Sequence, residues 1–548
     1  MLARSLRHRA PVLWLLLPFL AGLVAARILP RPVPIPPIAA LALVCVLASL
    51  WPLRRPVPWA VSLCLGLFFA GACHYQVTRA RMPEWDELPP RQTELCLRVE
   101  RVFAPKPGSK TISGLASVTE ASEAVGEIRG QRVYFSLRPS RGTTLPLRSE
   151  ELGCVGILES LPPNADTATF AGFLANSGVN FRFTRGRVLR RVREPTAYRQ
   201  FCDRALHRFS SILNAGLEDR PELSAISRGM LLGEVGELTA EQNALFLQSG
   251  TLHLFSVSGL HIAAIAVALH FAFGILRLPR WPKFAVSLAA LWLYVDITGA
   301  SPSAVRAFWM VLLVEAAYAL RRPINPVATL GLSALVALVA NPFQLFGASF
   351  QMSYGIVAGL LLLGLPLAER WQDKTALFSE VPKVTWAWWQ HALVWCQRAI
   401  AGSLGIGVAT GLVGDIAGVL YFQLFTPGAL AANLVLIPLS SFALWSGFLS
   451  LIAGLAGGIW LSAVFNHAAA LILFAIQEAI RLCVAMPGAF VRGQFTTVSL
   501  GFGAFAGLVA LFLYGYSTRW ELRRGGYWPP FAWTALALTV AVRYGAKN

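Results

Sequence analysis

Long apolar runs, broken by basic or Gly- and Pro-bearing turns, fill both ends of this 548-residue chain, and a stretch of different pattern lies between them. The runs fall near 11–28, 36–51 and 57–77, then near 252–276, 284–299, 304–320, 327–340, 344–367, 391–413, 418–459, 461–484, 495–516 and 528–544. A helix crosses the hydrocarbon of a bilayer with roughly 20 apolar residues. The pattern therefore predicts a polytopic α-helical membrane protein, with two helices expected inside 418–459. Residues 79–195 read differently: "TELCLRVERVFAP", "QRVYFSLRP", "LGCVGILESL" and "GVNFRFTRGRVLRRVR" are short β-branched and aromatic runs separated by Gly and Pro. They predict a small β-barrel inserted after the third transmembrane helix and held outside the membrane.

The junction between barrel and second membrane region has its own signature. In "TAYRQFCDRALHRFSSILNAGL", Phe201, Ala205, Phe209, Ile212 and Leu213 share one helical stripe, with Arg199, Arg204 and Arg208 off it. That is an amphipathic helix suited to a membrane interface, and "PELSAISRGMLLGEVGELTAEQNALFLQSG" after it is too polar to span. The expected organisation is transmembrane helices at 1–78, a β domain at 79–195, interfacial helices at 196–248 and a polytopic region at 249–548. Around 340–365 and 402–440 the apolar runs are interrupted by Gly, Pro, Asn and Gln. Such breaks are tolerated at membrane depth where other protein or a wet cavity satisfies the backbone.

Composition sharpens this. Hydrophobic residues make up 55% and charged residues 14% of the chain, against about 25% charged in soluble domains. The net charge of +19 favours phosphate-bearing partners, nucleic acid or membrane lipid. The basic N-terminal head is read as part of an anchor rather than a cleaved leader. Arg4, Arg7, Arg9, Arg54 and Arg55, with the basic loops at 277–283, 321–322 and 519–524, are expected in the cytoplasm, which places the β domain on the far side of a bacterial cytoplasmic membrane. Eight cysteines form no C-x-x-C pair. Cys96 and Cys154 fall in strands of the outer domain, either as a disulfide, which that compartment permits, or as two separately buried thiols.

The candidate chemistry is polar groups set in apolar runs. In "GTLHLFSVSGLHI", His253, Ser256, Ser258 and His261 surround Gly259. Eight residues of helix rise about 12 Å, too far for both imidazoles to reach one zinc at bonds of about 2 Å. Ser258 and His261 are i, i+3, but no acid completes a hydrolytic triad. No catalytic residue, metal or cofactor is expected. Either these groups cross-link helices, or the helix breaks at "SVSG" and its free N–H groups and hydroxyls face a wet, anion-favouring path. Asp296, Arg306 and Glu315 also lie in or beside apolar runs, where ionisable groups mark pathways. Arg306 and Glu315, nine apart, point to opposite sides of one helix, so Arg306 is left with Asp296, a snorkelling position or a phosphate. Trp386, Trp388, Trp389 and Trp395 fit an interfacial belt, with base stacking of the kind single-strand binders use as the alternative. Arg182, Arg185, Arg187, Arg190, Arg191 and Arg193 crowd one strand of the β domain, as a solvated face or as contacts to a nucleic-acid backbone.

Five segments, "GMLLGE", "GTLHLFSVSGLHI", "DITGASPSAVRAFWM", "NPFQLFGASFQMSYGI" and "LFTPGALAANLVLIPL", occur in the order found in ComEC-type competence proteins, the DNA internalisation channels of natural transformation. The chain resembles that family strongly over 225–445 and, more loosely, over 1–195, where the family carries membrane helices and an extracytoplasmic OB-like domain with a pattern like "FAGFLANSGV". The resemblance implies passage of single-stranded DNA across the cytoplasmic membrane. Motif positions are occupied by Glu234, His253, Ser258, Gly259, His261, Gly299, Ser301, Ser303, Arg306, Phe350, Ser353, Asn433 and Pro438. It also implies a DNA receptor on the outer side. The sequence departs from many relatives in carrying no metallo-β-lactamase-like H-x-H-x-D-H motif, and it has no P-loop. A cytoplasmic ATPase motor is therefore expected as a separate protein; for the nuclease, either another protein supplies it or this member is shortened in function as well. The alternatives are a channel or carrier for another anion, or an envelope-assembly membrane protein.

Overall fold

The computed structural model describes residues 10–29, 34–50, 56–81, 89–103, 111–138, 145–161, 169–518, 520 and 526–545. Arg4, Arg7, Arg9, Arg54, Arg55 and all of the 519–524 loop except Trp520 lie outside the described residues.

Three apolar helices open the chain: α1 (Val12–Ile28), α2 (Ile35–Leu50) and α3 (Pro56–Ala80). Helices α1 and α3 approach until backbone meets backbone. A Cβ on Gly22 would collide with the Phe68 carbonyl, and one on Gly71 with the Phe19 carbonyl. Small residues permit this in lipid, where packing rather than a hydrophobic drive associates helices.

The β domain follows. Strands β1 (Arg91–Val102), β2 (Ile112–Ala121), β3 (Arg132–Arg138), β4 (Glu151–Ser160) and β5 (Phe181–Arg193) close into a barrel of order β1-β2-β3-β5-β4. The β3–β5 pair is parallel and the rest antiparallel, an OB-like arrangement. Alternate residues point inward, so Leu95, Leu97, Val133, Phe135, Phe181 and Phe183 fill the interior. A short helix, α4 (Phe170–Asn176), plugs one end, with Leu174 against Leu115, Leu161 and Val179. Cys96 and Cys154 are two separate buried thiols, so the disulfide is not formed. The register explains this. Cys154 stands opposite Leu95 and Cys96 opposite Gly153, and a one-residue offset sends side chains to opposite faces of the sheet.

Beyond the barrel, α5 (Ala197–Asn214) is the amphipathic helix, followed by α6 (Pro221–Leu232) and α7 (Ala240–Gln248). The polytopic region comprises α8 (Gly259–Ile275), α9 (Arg280–Ile297), α10 (Pro302–Ala319), α11 (Pro326–Ala340), α12 (Ala348–Gly359), α13 (Leu365–Lys374), α14 (Trp388–Ala417), α15 (Ala429–Leu455), α16 (Ile459–Ala485), α17 (Val498–Thr518) and α18 (Pro529–Val540). A small sheet of β6 (Leu424–Phe425), β7 (Val491–Phe495) and β8 (Val542–Tyr544) ties its later part together. Among the described residues six continuous helices are long and apolar enough to cross a membrane: 57–80, 348–374, 388–422, 429–455, 459–485 and 498–518. With these, the chain is a multi-pass membrane protein. Two of the six carry a π-turn, at Leu360–Gly364 and Gly418–Phe422. The run at 418–459 holds the π-turn end of one helix and all of α15, which continues through Pro438.

The amphipathic α5 does more than lie on a surface. The Asn466 side-chain amide of α16 donates to the carbonyls of Ile212 and Ala215 at 2.8 and 2.9 Å, and Leu213 is fully buried. Among the described residues, two side-chain clusters join the barrel to the helices, besides the Gln131 amide that donates to the Arg81 carbonyl past α3 at 2.9 Å. Asn176 of α4 donates to the Phe346 carbonyl at 3.1 Å and accepts from Arg27 of α1 at 2.9 Å. The Asp296 carboxylate at the end of α9 takes Arg148 from the barrel, and Arg199 and Tyr198 from α5, at 2.9–3.1 Å.

Candidate functional site

The run "GTLHLFSVSGLHI" is not one helix. A 3-10 turn covers Leu252–Phe255, the chain extends through Ser256, and α8 begins at Gly259 with Ser258 as its N-cap. The helix starts seven residues later than the apolar run at 252–276 predicted, because the Ser258–His261 pair satisfies its first turn. The Ser258 N–H and hydroxyl both reach His261 Nδ1, at 3.2 and 2.7 Å. A backbone N–H can only donate, so Nδ1 accepts and the ring proton sits on Nε2. His261 is 2% exposed and its Nε2 has no partner among the described residues. Within α8's first turn, then, a buried donor is left without an acceptor. His253 is separate from it, exposed and bonded through Nδ1 to the Gly250 carbonyl at 3.1 Å. Ser256 is half-buried.

Around this break the other motif segments converge. Gly233 is left-handed (φ 80°), and a Cβ there would lie 3.3 Å from the Thr298 carbonyl and 3.5 Å from Val257. Tyr294 Oη donates to the Leu231 carbonyl at 2.5 Å. Gly299 and Ala300 turn the chain with positive φ, and Ser301 caps α10 by accepting from the Ala304 N–H. Ser303 donates to the Val257 carbonyl at 3.2 Å and meets Ser301 at the same distance. That bond fastens "SPS" to "SVSG". Gly250, also left-handed, packs against Thr426 and Ala429 of the fifth segment.

Arg306 lies one turn beyond Ser303 on the same face of α10. It is 4% exposed, and its Nη2 donates to the Ser349 carbonyl at 2.7 Å and hydroxyl at 2.8 Å, while Nε has no partner among the described residues. Of the three partners left open to Arg306, Asp296 is not the one it meets. The Gly299–Ala300 turn leaves Asp296 to the barrel and α5, and directs Arg306 to the start of α12. Glu315 pairs with His270 of α8 at 3.2 Å. Phe350 packs on Tyr354 with ring centroids 4.4 Å apart, and Ser353 is half-buried beside them. On α15, Asn433 Oδ1 is a further buried atom without a partner among the described residues, whereas Pro438 is exposed. Glu234 accepts from Ser210 at 3.3 Å with Arg228 3.7 Å away. Burial raises its pKa above the ordinary carboxylate value, against the pull of Arg228.

The arginine-rich strand divides. Arg185, Arg187, Arg190 and Arg193 are exposed, Arg182 is half-buried, and Arg191 pairs with the buried Glu150 at 3.2 Å. Three participants escape a reading of the sequence: Ser349, Asn176 and Arg148. Asn176, inside "FAGFLANSGV", and Ser349, inside "NPFQLFGASFQMSYGI", sat in quoted motifs, whereas Arg148 did not.

The family model described as Competence protein matches residues 230–518, more than half of the chain. The chain belongs to this family. The matched span contains every segment that meets at the "SVSG" break. The competence-family chain is also similar to ComE operon protein 3 of Bacillus subtilis (strain 168), with 25% identity over 228 residues. That match covers 41% of this chain and 26% of the relative, so the chain spans about a quarter of that protein's length. No solved structure matches.

Proposed function

We propose that this competence protein passes a single strand of DNA across the cytoplasmic membrane during natural transformation, with its barrel on the outer side and no catalytic step of its own. The observation that carries the reading is the placement of Arg306. A guanidinium 4% exposed among apolar helices, held by a carbonyl and a hydroxyl rather than a carboxylate, is a buried charge awaiting an anion. His261 adds a second buried donor at the break packed against the same helix. A phosphodiester supplies both acceptor and charge, and a chain of them gains from a path lined by hydroxyls and free backbone N–H groups. In this scheme a receptor delivers DNA from outside, a separate ATPase pulls from the cytoplasm, and any strand degradation belongs to another protein.

Uptake of labelled DNA into a nuclease-protected pool tests the proposal. Deletion of the gene abolishes uptake. Restoring it with Arg306→Gln, present in the membrane at the wild-type amount, gives uptake at least tenfold lower, of the order lost with a charge-assisted hydrogen bond. Undiminished uptake in the deletion strain would transfer the site to another anion.

A further inference from the structure

Four aromatic rings gather where α4 meets the barrel wall. Phe170 and Phe173 lie stacked, with centroids 5.9 Å apart and planes 22° apart, and they are 49% and 41% exposed. Tyr134 of β3 meets Phe170 edge-on at 5.2 Å, and Phe103, just past β1, stacks on Tyr134 and touches Phe173, both at 6.3 Å. The inner face of α4 is occupied, since Leu174 fills the barrel end and Asn176 docks on the Phe346 carbonyl. The outward rings are therefore not waiting on the barrel core.

A row of guanidinium groups leads away from them. Arg101 sits over the Phe103 ring at 5.5 Å and lies close enough to Arg148 to feel its charge. Arg148 in turn reaches Asp296, where Arg199 arrives from α5. Two arginines thus share Asp296, with Arg101 beyond them, while the nearby Glu100 is engaged by Arg132 at 2.7 Å. The row ends beside the Gly299 turn, which is fastened to the "SVSG" break. The exposed sides of the apolar helices are built otherwise, from uncharged Leu, Val and Trp such as Leu43, Val44 and Trp460.

We infer that Phe103, Tyr134, Phe170 and Phe173 form a stacking platform for unpaired bases, and that Arg101, Arg148 and Arg199 conduct the attached phosphates from it to the turn at Gly299. The inference rests on the DNA reading and gives it a loading point distinct from the β5 arginines. Stacking on aromatic rings is tolerant of sequence but needs bases freed from a duplex, so the platform selects single strands.

The test is binding of a fluorescent oligothymidylate, and of a duplex of equal length, to the full chain in detergent. F170L/F173L keeps the apolar character of both positions but removes the rings, and binds the single strand about tenfold more weakly. F170W/F173W restores binding. R101Q flattens the salt dependence by about one phosphate contact. If F170L/F173L matches a wild type that binds, the platform is overturned and the channel reading stands. Equal weakening toward single strand and duplex would also overturn it, as would protection of both rings from hydroxyl-radical footprinting by nanodisc lipid alone. A wild type that ignores both oligonucleotides would remove platform and DNA reading together.

Discussion

His261 shows how much depends on one proton. Because Ser258 supplies donors to Nδ1, the imidazole is a neutral ring whose buried Nε2–H has no acceptor among the described residues. His261→Gln retains an N–H donor and is expected to lower uptake partially, whereas a hydrolytic role for the imidazole would make the same change abolish activity. Side-by-side uptake assays with His261→Gln and His261→Leu, the latter falling further, decide between them. In the barrel, burial and then the neighbouring Cys96 push the Cys154 thiol up from 9.0 to about 12. The folded state favours the neutral thiol while the unfolded chain ionises near 9.0. The contribution to stability is therefore flat below pH 9 and is lost as pH rises from 9 toward 12. Alkylation at pH 8.5 should leave Cys96 and Cys154 unmodified in the native protein and modify both after denaturation, with or without reductant. Modification that needs reductant would mean a disulfide.

Elements were legible from the apolar pattern where length alone decides them. The long spans and the five-stranded barrel follow from periods of 3.6 and 2. What the pattern hides is where backbone leaves regular geometry inside an apolar run. Nothing in the hydropathy of "TLHLFSVSGLHIAAI" marks a helix start at Gly259, because the cap is a local hydrogen bond between Ser258 and His261. The π-turns at Leu360–Gly364 and Gly418–Phe422 fall in the runs that Gly, Pro, Asn and Gln interrupt, yet composition does not say where the wider turn falls; at the first, Ala409 lies against Gly359 and Gly364. Close helix approach is more accessible to test. Gly22→Val or Gly71→Val must part α1 from α3, and each is expected to cost ~1–3 kcal/mol, read as a lower melting temperature in detergent. A wild-type melting temperature in both would deny the backbone contact.

For the whole molecule, the sequence supplied the motif segments but not their meeting. Asp296 and Arg306 are ten residues apart and invite pairing, yet they serve different joints: Asp296 binds barrel and α5 to α9, and Arg306 binds α10 to α12. Long-range partners such as Arg148 and Ser349 have no signature in a single chain. If Asp296 is the joint described, Asp296→Asn should raise hydrogen exchange around 145–149 and 197–204 while the barrel strands stay protected. Uniform protection would place the joint elsewhere. The central claim is that the "SVSG" break borders water and DNA. In a cysteine-free background, single cysteines at 256, 258 and 303 are expected to react with a membrane-impermeant thiol reagent, and bound single-stranded DNA to slow that reaction. Three unreactive positions, indifferent to DNA, would mean that the break is sealed between helices and that no conduit passes it.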